Sequence, residues 1–114
     1  MPRDASGHLV AGVVTPVRTV PASIVRPEYV GRGAPAPYSG GDLYTPEEVQ
    51  RVRAAGRIAA RAVELVGSAI RPGVTTDELD VIAHEFIVSE GAYPSTVGYR
   101  GYPKAVRTSI NEVI

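Results

Sequence analysis

The chain has 114 residues, with twelve basic and twelve acidic side chains and a formal net charge of +0. That balance excludes a domain-wide electrostatic grip on DNA or an anionic membrane, though not a local basic patch. The length allows one domain at most; the absence of cysteine excludes disulfides and thiolate chemistry, and no apolar run approaches the ~20 residues that span a bilayer.

Residues 1–44 carry Pro2, Pro16, Pro21, Pro27, Pro35 and Pro37, with Gly31, Gly33, Gly40 and Gly41 among them. Proline removes backbone donors and glycine raises the entropy of ordering, so this segment is expected to be extended or irregular. The apolar patch Leu9–Val14 is too short and interrupted for a signal peptide, which points to a cytoplasmic protein. The run Val13 to Val30 offers Val17, Val20, Ile24 and Val25 as contacts for a folded surface, and Gly31 to Asp42 reads as a linker. The expected division is therefore 1–44 as extension and linker and 45–114 as the folded part.

A helix is predicted to begin after Thr45. Thr45 caps, Pro46 suits the first helical position, and Glu48 completes a capping box. Val49, Val52, Gly56, Ala59, Val63, Val66 and Ile70 recur in steps of three and four and predict one buried stripe. Pro72-Gly73 ends the helix. A second helix is predicted after Thr75, boxed by Glu78, with Leu79, Ile82, Ala83, Phe86 and Ile87 as its inner face and Gly91 as its C-terminal cap. The short join makes an αα-hairpin. Beyond it, a loop around Tyr93-Pro94 and a turn through Gly98 to Pro103 lead to a strand from about Val106 to Ile114. A chain that halts inside an apolar, β-branched strand is expected to be part of a larger protein.

Few side chains suggest chemistry. Asp80 and His84 lie four apart on the second helix with Glu85 adjacent, and read as a solvated helix contact rather than a metal site. His8 has no evident partner. Ser95 and Ser109 lack a histidine–acid set for nucleophilic catalysis. Arg53, Arg57 and Arg61 line one face of the first helix, with Arg51 nearby; Glu47 and Glu64 temper them, and a solvated face is the expected reading. Tyr99 and Tyr102, between Gly98, Gly101 and Pro103, could wall a pocket or pack on a surface loop.

Three blocks resemble type I methionine aminopeptidases. They are Arg53–Ala60, Pro72–Asp80, and the run Gly91-Ala92-Tyr93-Pro94-Ser95-Thr96 through Thr108-Ser109-Ile110-Asn111-Glu112-Val113-Ile114. Arg26–Gly31 is similar to the N-terminal extension of the actinobacterial subclass. The resemblance implies an α+β class, the N-terminal portion of the pita-bread fold: extended arm, αα-hairpin and first sheet strand. The arm is then expected to pack on its own catalytic domain.

By the same resemblance, Tyr99 and Tyr102 match positions near the pocket for the substrate's methionine side chain. Asn111, with the Val113 carbonyl, matches a monovalent-cation site. Arg107 departs from the cysteine usual beside that pocket. The family's histidine follows Asn-Glu-Val-Ile and its metal ligands come later, so no catalytic residue and no ligand for its two divalent ions is assigned here. The implied activity is removal of the initiator methionine from nascent polypeptides. The chain alone is expected to be inactive and to hold no catalytic metal. Expected partners are nascent N-termini and the ribosome, with no DNA or membrane, and the full-length protein is expected to be a monomer. The alternative is a non-enzymatic module binding ribosome or protein.

Overall fold

A computed structural model of the chain describes residues 2–111. Two helices carry the fold, α1 (Pro46–Ala69) and α2 (Thr76–Ser89), followed by a 3-10 turn at Tyr99–Gly101. Both helices open as their sequences predict. In α1, Thr45 Oγ1 accepts from the Glu48 N–H at 3.2 Å while the Thr45 N–H donates to Glu48 Oε2 at 3.1 Å. The Thr75–Glu78 box repeats this at 3.1 and 2.7 Å. Each box satisfies donors that the first helical turn leaves unpaired.

The ends follow from backbone chemistry. Helix α1 stops at Ala69, three residues before Pro72, because a proline disfavours helical geometry in the residue before it. Helix α2 closes in a Schellman motif: Ala92 N–H donates to Ile87 O at 3.1 Å and Gly91 N–H to Val88 O at 2.9 Å. Gly91 sits at φ 75°, where the left-handed turn requires a residue without a Cβ clash.

The buried stripe of α1 differs from the predicted one. Ala62 is buried and Ile58, Leu65, Val66 and Ala69 are half-buried, so the face toward α2 runs through these positions. Val52 is 65% exposed and Val63 72% exposed. Two apolar stripes lie side by side on α1, both at helical period, and α2 covers one. Periodicity identifies an amphipathic helix but does not say which edge of a broad apolar face meets a neighbour.

Helix α2 is covered on both sides. Leu79 and Ala83 are buried as predicted, with Ile82, Phe86 and Ile87 half-buried. Asp80 and His84 are also buried, at 2% and 5% exposure, because the arm crosses their face. The arm therefore packs on α2 and on the segment that follows it. Val20 and Ile24 are its buried anchors, whereas Val17 and Val25 stay exposed. The chain's radius of gyration is 16.5 Å, against ~13 Å for a compact domain of this length. The exposed flank of α1 fits that extended form.

The predicted strand from Val106 is corrected over its described part. No strand forms among residues 106–111; outside the helices the structure has an isolated bridge between Arg3 and Leu9 among the described residues. A strand needs a partner to take its backbone donors. Here the N–H groups of Ala105 and Val106 are instead taken by the Asp80 carboxylate, at 2.7 and 3.0 Å. The rest of the predicted strand, residues 112–114, lies outside the described residues. The sheet half of the expected α+β class is thus not seen among residues 2–111.

Candidate functional site

The tyrosine segment folds as a tight knot behind α2. Pro94 is fully buried beneath it. Gly98 at φ 83° turns the chain, and its N–H donates to Tyr102 O at 2.7 Å. A Cβ on Gly98 would meet Val30 at 3.4 Å, so the arm approaches the turn closely at this point. Arg100 sits at φ 50°, an uncommon left-handed conformation for a residue with a Cβ.

Tyr99 and Tyr102, the two predicted pocket residues, come together here in different settings. Tyr99 meets Tyr29 of the arm edge to face, with ring centroids 5.3 Å apart and planes at 85°. That geometry sets the positive edge of one ring against the negative face of the other. The Tyr29 hydroxyl donates to Ser95 O. Burial, then the neighbouring Tyr93 and Tyr99 phenols, push the Tyr29 hydroxyl above its ordinary pKa. Tyr102 donates to Val106 O at 2.8 Å, and the Arg107 guanidinium lies 4.8 Å from its ring centroid. Arg107 therefore caps the tyrosine rather than leaving an open apolar wall. A groove of 350 Å³ runs between arm and knot, lined by Val17, Arg18, Val20, Arg26, Val30, Tyr93, Val97 and Tyr102 among others.

Asn111 is exposed at φ 56°. Its expected cation-site companion, Val113, lies outside the described residues.

A polar cluster fastens these parts together. Arg18 Nη1 donates to Asp80 Oδ2 at 2.6 Å, and Arg18 Nη2 lies 2.9 Å from Asp77 Oδ2. Thr15 Oγ1 donates to Asp77 Oδ1 at 2.7 Å. Lys104 donates to Thr15 O at 3.1 Å, to the Thr15 hydroxyl, and to Asp77 Oδ1 at 3.3 Å. Hydrogen bonds from Thr15 and then Arg18 hold the Asp77 carboxyl down at about 2. The same Asp77 contact raises the Arg18 pKa. Sequence reasoning missed this cluster. Its signal was the spacing of Asp77, Asp80 and His84, a polar stripe at helical period beside an apolar one, which marks a helix buried on two faces.

The expected solvated Asp80–His84 contact is corrected. Both side chains are buried, and each serves the arm or the following loop. Asp80 binds Arg18 and two loop amides, while His84 Nε2 lies 3.0 Å from Thr19 O. A buried carboxylate and imidazole need such partners to offset lost hydration. Among the described residues, no three His, Cys, Asp or Glu side chains converge as metal ligands. Asp77 and Asp80 are already occupied by cations and amides, so these two carboxylates do not fit a two-metal centre.

An apolar groove of 420 Å³ lies between Val63 and Val66 of α1, Ile70 just past its end, Ile87 of α2, and residues 105–108. The arginines of α1 are exposed, and Arg61 lies 3.8 Å from Glu64, as a tempered solvated face predicts.

The profile of metallopeptidase family M24 matches residues 50–114, more than half of the chain. The chain belongs to metallopeptidase family M24.

Among the relatives of this M24 chain, Methionine aminopeptidase 2 of Mycobacterium tuberculosis is 57% identical over 103 residues, covering 90% of the chain and 36% of that protein. Methionine aminopeptidase 1D, mitochondrial, of Dictyostelium discoideum is 38% identical over 115 residues, covering 98% of the chain and 28% of that protein. Methionine aminopeptidase 1D, chloroplastic/mitochondrial, of Arabidopsis thaliana is 45% identical over 104 residues, covering 90% and 30%. The matches extend upstream of the M24 region and take in most of the chain, while the chain spans about a third of these relatives' length.

Proposed function

We propose that this chain supplies the arm, the helix pair and the tyrosine segment of a metal-dependent aminopeptidase that removes the initiator methionine from nascent polypeptides. The 57% identity to a methionine aminopeptidase over 103 residues carries the reading. Residues 1–44 form the extension and linker, and the residues from 45 onward form part of the pita-bread catalytic domain. Tyr99 and Tyr102 contribute to the wall facing the methionine side chain, with Arg107 narrowing it. Asn111, with Val113, contributes to a monovalent-cation site.

In the whole enzyme two divalent ions supply an activated water. The described carboxylates of this chain are not their ligands, and the chain by itself is inactive. Its role is to shape the pocket and hold its wall. The substrates are nascent N-termini met in the cytoplasm near the ribosome, and the whole protein acts as a monomer.

The exposed apolar groove beside α1 favours a second reading, a binding module without catalysis. Complementation separates the two. The chain is mixed with the remaining two-thirds of a related methionine aminopeptidase and a divalent metal salt, and release of methionine from a Met-Ala-Ser peptide is measured. Cleavage that needs both polypeptides supports the enzyme reading. Tight association of the two without any cleavage overturns it in favour of the binding module.

A further inference from the structure

Asp80 is buried, yet it ties its helix to two other parts of the molecule. Its Oδ2 accepts from Arg18 of the arm at 2.6 Å. Its Oδ1 accepts from the backbone N–H groups of Ala105 and Val106 at 2.7 and 3.0 Å. Val106 is also the residue whose carbonyl takes the Tyr102 hydroxyl, at 2.8 Å. One carboxylate on a rigid helix thus fixes both the arm and the peptide that orients Tyr102. Lys104, two residues before Val106, repeats the link by reaching Thr15 of the arm and Asp77 of α2.

We infer that Asp80 is a positioning residue: through Ala105 and Val106 it holds Tyr102 in place, and through Arg18 it makes that placement depend on the docked arm. Two amides converging on one oxygen are a charge-assisted arrangement, stronger than a neutral pair and directional. Removing Arg18 leaves a buried carboxylate without its counter-charge, which weakens the whole clamp rather than the arm alone. The arm is then a structural determinant of the pocket wall. The consequence for substrate rests on the methionine-pocket reading above; the clamp itself does not.

The test uses the isotopically labelled 114-residue chain and reads amide exchange and tyrosine ring signals by NMR. In Asp80→Asn, exchange at Ala105 and Val106 is expected to speed up about tenfold to hundredfold, the worth of hydrogen bonds to a charged group. The Tyr102 ring signals should shift while those of Tyr38, remote on the linker, stay fixed. Arg18→Gln should do the same with no substitution in α2 itself, and Arg18→Lys should restore most of the protection. Should Asp80→Asn unfold α2, seen as lost protection from Leu79 to Val88, Arg18→Gln decides alone. Unchanged exchange at Ala105 and Val106 in Arg18→Gln, or an unmoved Tyr102, overturns the inference. In the complemented enzyme, Arg18→Gln should raise KM with kcat little changed. A wild-type mixture without activity would count against the methionine reading only, because the amide readout stands apart from it.

Discussion

Leu79 and Val63 are both large apolar residues that helical periodicity places in a core, and the fold treats them oppositely. Leu79 is 7% exposed and Val63 is 72% exposed. Truncating a buried leucine to alanine costs about 2–5 kcal/mol, depending on how far the site collapses. Here the buried apolar set is small, Val20, Ile24, Ala62, Leu79, Ala83 and Val97, so partial collapse is easy. The lower half of the range, about 2–3 kcal/mol, is expected for Leu79→Ala. Val63 keeps under a third of its surface buried, worth about 0.5 kcal/mol on the usual area scale. Alanine's higher helix propensity returns about as much. Val63→Ala should therefore be neutral. Urea unfolding followed by helical circular dichroism checks both, with a slope of about 1 kcal/mol/M for so small a chain. The midpoint should fall by about 2–3 M for Leu79→Ala and move by less than about 0.5 M for Val63→Ala. A Val63→Ala cost matching that of Leu79→Ala would show that the groove flank of α1 is covered in solution, and would refute the assignment of the core.

Four further outcomes follow from the geometry. Thr75→Ala removes the acceptor for the Glu78 N–H and should cost about 0.5–2 kcal/mol, read as a lower unfolding midpoint with α2 amides losing protection first. Asp77 is held at about 2 against an ordinary 3.8. Its contribution to stability is therefore complete above the ordinary value and disappears as pH falls through about 2. A carboxyl titration by NMR should show this, and Thr15→Val should move the Asp77 midpoint upward. Glu78, lowered by its bonds to Thr75, should weaken the α2 cap in the same direction on acidification. Gly98→Ala places a Cβ at φ 83° and against Val30. It should cost about 1–2 kcal/mol from the left-handed backbone alone, with the Tyr29 and Tyr99 ring signals displaced; an unchanged melting curve would contradict the close approach.

Local features were legible from residue order. Thr45, Glu48, Thr75, Glu78 and Gly91 name their own roles, because capping is decided within a few residues of chain. The tyrosine turn, with Gly98 and Gly101 at positive φ, was legible for the same reason. Family membership was legible too, since blocks of ordered residues carry it without any coordinates. What each apolar or charged residue faces was not. Only the packing of α2 between α1 and the arm decided that Ile58 and Ala62, rather than Val52 and Val63, are turned inward. Only the same packing decided that Asp80 and His84 are buried. The backbone after Val106 looks like a strand in sequence, but strand formation is a property of pairs. With no second strand among the described residues and Asp80 offering its carboxylate, the Ala105 and Val106 donors went to α2 instead. Hydrogen-bond partners distant in sequence compete for the same donors, and no local pattern records which of them will win.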